Sequence, residues 1–106
     1  MSAFKFTPTA MHGVVEITPP VFGDERGFFM ETWNSSDFAD AGIDASFVQE
    51  NHSRSVQGTL RGLHYQTQCA QGKLVRVVEG EIFDVVVDLR RWSPSFSQWR
   101  GTTLSA

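Results

Sequence analysis

Short runs of apolar and polar residues, broken every few positions by Gly, Pro, Asn or Asp, extend along the whole chain. Val14-Val15-Glu16-Ile17 is stopped by Pro19-Pro20, since proline has no N–H to give a sheet. Gly23-Asp24 reads as a turn, and the aromatic-rich run from Gly27 to Trp33 as a strand. Asn34-Ser35-Ser36-Asp37 offers several N-cap side chains ahead of Gly42, which predicts one short helix over Asp37 to Ala41. Phe47 to His52, Thr59 to Gln66, Lys73 to Glu79, Glu81 to Arg90 and Trp99 to Leu104 then read as strands. The turns between them carry Gly58, Gly72, Gly80 and Pro94. Regularly spaced strands with little helix predict an all-β protein, an antiparallel sandwich or barrel.

The clearest strand is EIFDVVVDLR. Phe83, Val85, Val87 and Leu89 fall on one face, and Ile82, Asp84, Val86 and Asp88 on the other. A face mixing valine with two aspartates either borders a polar cavity or places its aspartates at the strand ends near water. Composition narrows the class. The chain has 106 residues, 41% hydrophobic and 20% charged, which suits one globular domain over residues 1–106. No apolar run is long enough for a membrane helix, and MSAFKFTPTAMHGV lacks a signal-peptide core, so no membrane association is expected. The lone Cys69 cannot form an internal disulfide, which fits a cytoplasmic location. A net charge of −3 without a basic block argues against nucleic-acid binding.

One stretch does not read as plain strand. LRGLHYQ, Leu60 to Gln66, spends its middle on an arginine, a glycine and a histidine. Side chains alternate along a regular strand, so Arg61 and His64 would face opposite ways. An interior glycine such as Gly62 often marks a bulge, and a bulge there would turn both toward one cavity. Gly58 and His64 match the opening of the cupin metal motif, but Gln66 stands where a second histidine would follow, and the next glutamate is Glu79. One imidazole and an amide make a poor metal site, so no metal is expected. What remains is a histidine suited to taking a proton near neutral pH. Lys73, opening KLVRVVEG, is either a strand-edge lysine that blunts aggregation or a cation placed to stabilise an oxyanion.

DERGFFMETW, FVQENHSRS, GTLRGLHYQ, QGKLVRVVEGEIFDVVVDLRRWSPSF and QW, in that order, resemble the N-terminal portion of the dTDP-4-dehydrorhamnose 3,5-epimerase family. The resemblance implies a cupin-type jelly roll, or double-stranded β-helix, here incomplete at its C-terminal end. It also implies a cofactor-independent homodimer that epimerises C3 and C5 of dTDP-4-dehydro-6-deoxy-D-glucose in dTDP-L-rhamnose synthesis, for cell-envelope polysaccharide. Carried over residue by residue, His64 is the base and Lys73 the partner of the enolate oxygen. Arg61 contacts the diphosphate. Arg26, Glu31 and Phe28 or Phe29 bind the nucleotide, and Gln49, Glu50 and Asn51 lie in a further substrate-binding stretch, where QEN replaces the usual QDN. The family's acid tyrosine, the aspartate paired with its catalytic histidine and a second substrate-binding histidine belong to a portion beyond the equivalent of Ala106. Tyr65 would point away from His64 in a strand, and Asp84 or Asp88 is left to orient it. Open sheet edges in such a fragment favour dimerisation. A nucleotide-sugar-binding fragment without turnover, or an epimerase acting at one carbon, remains an alternative.

Overall fold

The computed structural model describes residues 3–106. Six strands form three antiparallel hairpins. β1 (Lys5–Pro8) pairs with β2 (Val15–Thr18), β3 (Val21–Asp24) with β4 (Gly27–Met30), and β5 (Glu81–Val87) with β6 (Trp99–Ser105). The one helix, α1 (Ser35–Asp40), follows β4. Architecture is therefore all-β, as the patterning predicts.

Local chemistry explains the helix. The Asn34 side chain accepts from the backbone N–H groups of Ser36 and Asp37, both at 3.1 Å, satisfying donors that the first turn leaves open. At the other end Gly42 N–H bonds Ala39 O at 2.9 Å and Ile43 N–H bonds Phe38 O at 2.8 Å, the reciprocal pair of a Schellman closure. The helix thus starts two residues earlier than the cap-rich sequence suggests, because Asn34 is the residue that caps.

That helix delivers Phe38 to the core. Phe38 is 1% exposed and meets Phe4 and Phe6 edge to face at 5.2 and 5.1 Å. Trp33 lies 4.3 Å from it and in turn meets Phe47 edge to face at 5.1 Å. Edge-to-face geometry sets a ring's positive rim against its neighbour's negative face. Phe4, Met11 and Phe38 are the buried apolar core, with Phe6 half-buried beside them and Trp33 and Phe47 on its exposed rim.

A polar knot anchors β5–β6. Asp88, just past β5, is buried, and its carboxylate accepts from the Arg90 guanidinium and from the hydroxyls of Ser93 and Ser95. Arg90 also donates to His12 O at 2.6 Å and stacks over Trp92, tying the connection to the β1–β2 loop. These donors, Arg90 foremost, hold the Asp88 carboxyl well below the usual carboxylate range. A second link crosses the chain where Arg100 on β6 donates to Glu16 on β2 at 2.9 Å. On β5–β6 itself the Phe83 ring from the neighbouring strand lies over the Gly101 Cα, so a side chain at 101 would have to displace that largely exposed ring.

Several expectations are corrected. β5 ends at Val87 rather than Arg90, and Asp88 is buried and bound by three side chains rather than placed near water. Gly23-Asp24 closes strand β3, and the turn falls on Glu25-Arg26. Gly27 to Trp33 yields a strand only as far as Met30, which pairs with Val21, the first residue of β3, and 31–33 form an irregular link to the Asn34 cap of α1. Phe47 to His52, Thr59 to Gln66 and Lys73 to Glu79 form no strands. Among the described residues, Thr59 N–H to Val56 O is the one backbone–backbone hydrogen bond within 44–79. Alternation there has no partner strand beside it, and a strand is defined by its ladder.

Candidate functional site

The expected site residues fall into three small groups. Arg26 occupies the β3–β4 turn, and its Nε and Nη2 grip Asp24, the closest approach being 2.6 Å. Asp24 also accepts the Arg26 backbone N–H at 2.9 Å, so one carboxylate fixes both the turn and the guanidinium. The pairing holds the Asp24 carboxyl below its ordinary value and raises the Arg26 guanidinium. Arg26, Phe28 and Phe29 line an open groove of about 220 Å³ with Phe22, Asp24 and Gly27. Phe28 and Phe29 are each 71% exposed, an unusual state for phenylalanine and a ready stacking surface for a flat ring. Glu31 follows β4, half-buried, and accepts from Asn34 at 3.4 Å.

In the second group Gln49 donates to Asn51 Oδ1 at 3.2 Å across the intervening Glu50, and all three are exposed. In the third, His64 and Lys73 line one groove of about 210 Å³ with Tyr65, Gln66, Ala70 and Gln71. The chain between them turns back through Cys69, whose φ is 53°, and Gln71 N–H bonds Gln66 Oε1 at 3.2 Å across the base of that turn. A base and a cation on one concave surface can together remove a proton next to a carbonyl and receive the charge that develops on its oxygen.

The segment from Arg61 to His64 is irregular rather than bulged. Gly62 has φ 103°, the Gly62–Leu63 peptide is cis, and the His64 ring lies beside the Gly62 Cα. No ladder exists for a bulge to interrupt. Arg61 is exposed and is not among the residues lining the His64 groove, so the expected convergence of Arg61 and His64 on one cavity is corrected to His64 with Lys73. Tyr65 lines that groove too, because the alternation that would turn it away needs a strand. Asp88 is committed to Arg90, Ser93 and Ser95, and Asp84 sits opposite Thr102 in β5–β6. Neither orients His64, which makes no hydrogen bond among the described residues. No group of three or more His, Cys, Asp or Glu residues comes together among them.

Sequence reasoning missed Asp24, Gln66 and Gln71. Asp24 was legible in the Asp-Glu-Arg spacing of a tight turn, where positions two apart can meet. Gln66 and Gln71 carry no signal, because their pairing depends on how the 67–70 loop folds back.

Comparison with known proteins places the chain. The family model for dTDP-4-dehydrorhamnose 3,5-epimerase matches residues 8–106. The enzyme of that name from Pseudomonas aeruginosa is 59% identical over 103 residues, covering 96% of this chain and 57% of its own. The one from Methanothermobacter thermautotrophicus is 52% identical over 105 residues, covering 99% and 57%. The crystal structure of the Bacillus anthracis epimerase with TDP and PPi bound superposes with a TM-score of 0.94 at 48% identity, over 98% of this chain and 61% of that one. A Legionella pneumophila epimerase in complex with dTDP-4-keto-L-rhamnose gives 0.91 at 50% identity, over 96% and 55%. The chain therefore spans 57% of the length of those first curated relatives. Its hairpins follow the cupin-type jelly roll of these enzymes. By sequence and by fold alike, the chain belongs to the dTDP-4-dehydrorhamnose 3,5-epimerase family.

Proposed function

We propose that this chain carries the base and oxyanion side of an epimerase site acting at C3 and C5 of dTDP-4-dehydro-6-deoxy-D-glucose, giving dTDP-4-dehydro-L-rhamnose. The observation that supports it best is His64 and Lys73 lining one groove. His64 takes the C5 proton, and the C–H electrons flow into the C4 carbonyl to give an enolate whose oxygen faces Lys73. A proton returned to the opposite face of the carbon inverts it, and the same cycle repeats at C3. The acid on that face is expected from the part of the family's fold outside the matched span. Arg26 and Phe29 hold the nucleotide, the ring stacking on thymine and the guanidinium edge left free by Asp24 meeting phosphate oxygens. Glu31, Gln49, Glu50, Asn51 and Arg61 complete the substrate contacts. The working form is a cytoplasmic homodimer. No helix among the described residues is long and apolar enough to cross a membrane.

A second reading has its own support. A Streptomyces niveus relative, 42% identical over 102 residues, is named as a 3-epimerase, so inversion at one carbon alone belongs to this family's range. One experiment separates the readings. The chain is incubated with the 4-dehydro sugar nucleotide in D₂O, and deuterium at C3 and C5 is followed by NMR. Exchange at both carbons is expected, falling about 10²–10⁴-fold in His64→Asn, the usual contribution of a positioned base. Exchange at C3 alone selects the single-centre reading, and nucleotide binding without any exchange overturns the catalytic one.

A further inference from the structure

We propose that Gly62 is the positioning residue for His64, its left-handed backbone setting the direction from which the imidazole enters the groove shared with Lys73. The inference rests on His64 being the base. Gly62 has φ 103°, a conformation that L side chains rarely adopt. A Cβ built there would lie 3.5 Å from His64 Nδ1, 3.7 Å from Cε1 and 3.6 Å from the His64 backbone N. The imidazole therefore lies in contact with the position that a side chain at 62 would take.

Those separations are ordinary contact distances, so a methyl group would fit beside the ring. Torsion rather than crowding excludes an L-residue. Relieving the strain rotates the backbone about Gly62, and His64, two residues on, swings with it. His64 is exposed, belongs to no strand and makes no hydrogen bond among the described residues. Among the described residues, the surface the ring packs against is the bare Cα face of a glycine. A displacement of about 1 Å in a reacting group can cost on the order of 10²-fold in rate, so a small torsional change at 62 has leverage.

The test compares Gly62→Ala with the D-alanine form made by semisynthesis, each in the full 106-residue chain. A D-residue is at ease at positive φ and points its methyl away from the ring. Two signals are read, the His64 Hε1 shift with its titration midpoint, and the rate and pH profile of deuterium exchange. With L-alanine the imidazole signal should move, and exchange should fall at least about tenfold. The D-alanine form should match the parent in both. An unmoved His64 signal in the L-form overturns the proposal. So does an equal shift in the two forms, and so does loss of the Phe38 ring signals in the L-form, which would make Gly62 a general folding residue. If the parent chain shows no exchange at all, the catalytic reading fails, while the imidazole signals still decide the role of Gly62.

Discussion

Strand β5, EIFDVVV, and the stretch just before it, KLVRVVE, are near neighbours in composition and pattern. β5 lies in ladder with β6 through seven register pairs, from Glu81 with Ser105 to Val87 with Trp99. Lys73 to Glu79 has no partner, and Leu74, Val75 and Val78 stand 43–51% exposed. Intrinsic preference is similar in the two, so the difference comes from what lies alongside. β-propensity measures the fit of a side chain to a pleated and half-covered surface, and without the surface it decides little. The molecule divides on that line. A framework of hairpins, helix, aromatic corner and Asp88 knot flanks, along the chain, an exposed segment, 48–79, that carries His64, Lys73, Arg61 and the Gln49–Asn51 pair with almost no ladder of its own.

The division breaks hardest at Phe38. Its ring is buried against Phe4, Phe6 and Trp33, and Phe38→Ala leaves a cavity where their edges converge. Loss of about 3–5 kcal/mol is expected, read as the urea midpoint of the near-ultraviolet signal. In a core this small such a loss unfolds the framework at moderate temperature. Retention of the parent midpoint would show that the aromatic corner is not where cohesion resides.

Next in size is Asp88. Its carboxyl titrates well below an unfolded aspartate, held down first by Arg90 and then by Ser93 and Ser95. Stability from a depressed carboxyl is present above the unfolded value, about 3.9, and is lost as pH falls through and below it. Asp88→Asn keeps the shape, removes the charge that Arg90 faces, and should lower the melting temperature by several degrees at pH 7. The gap between variant and parent should narrow steadily on acidification below pH ~4. A gap independent of pH would mean that packing around residue 88, rather than its charge, holds the β5–β6 connection to the His12 loop.

The same division governs what could be read beforehand. β2, β5, β6 and the helix were legible because their signals are local: alternation, a proline stop, an asparagine cap. β1 and β3 were missed since KFTP and VFGD are too short to show a period. The three strands expected between Phe47 and Glu79 have the right pattern, and no pattern records whether a partner strand is at hand. His64 was singled out as out of character for a strand, and Lys73 as either an edge lysine or a cation for an oxyanion. Their meeting in one groove depends on the turn through Cys69 and on Gln66 reaching Gln71, neither of which has a sequence signature. The convergence of Arg61 with His64 was expected from a bulge at Gly62, and a bulge needs the ladder that this segment lacks.

The smallest expected effect sharpens the comparison most. Leu60 is 93% exposed and next to Arg61, in the segment where a strand was expected. A leucine that contributes by burial loses a few kcal/mol on truncation, whereas one already in water has little to lose. Leu60→Ser should therefore change stability by no more than about 0.5 kcal/mol, against several for Phe38→Ala, although both remove a large apolar side chain. Backbone amides across 48–79 should likewise exchange with solvent far faster than those of β5, since exchange protection follows hydrogen bonding and local opening. If Leu60→Ser instead matched Phe38→Ala, residue 60 would have to be covered in solution, and a second surface would lie over the segment that carries the base. A covered segment would also protect its amides, so denaturation and exchange must agree, and together they test whether the site segment is ordered by its own contacts or by what packs onto it.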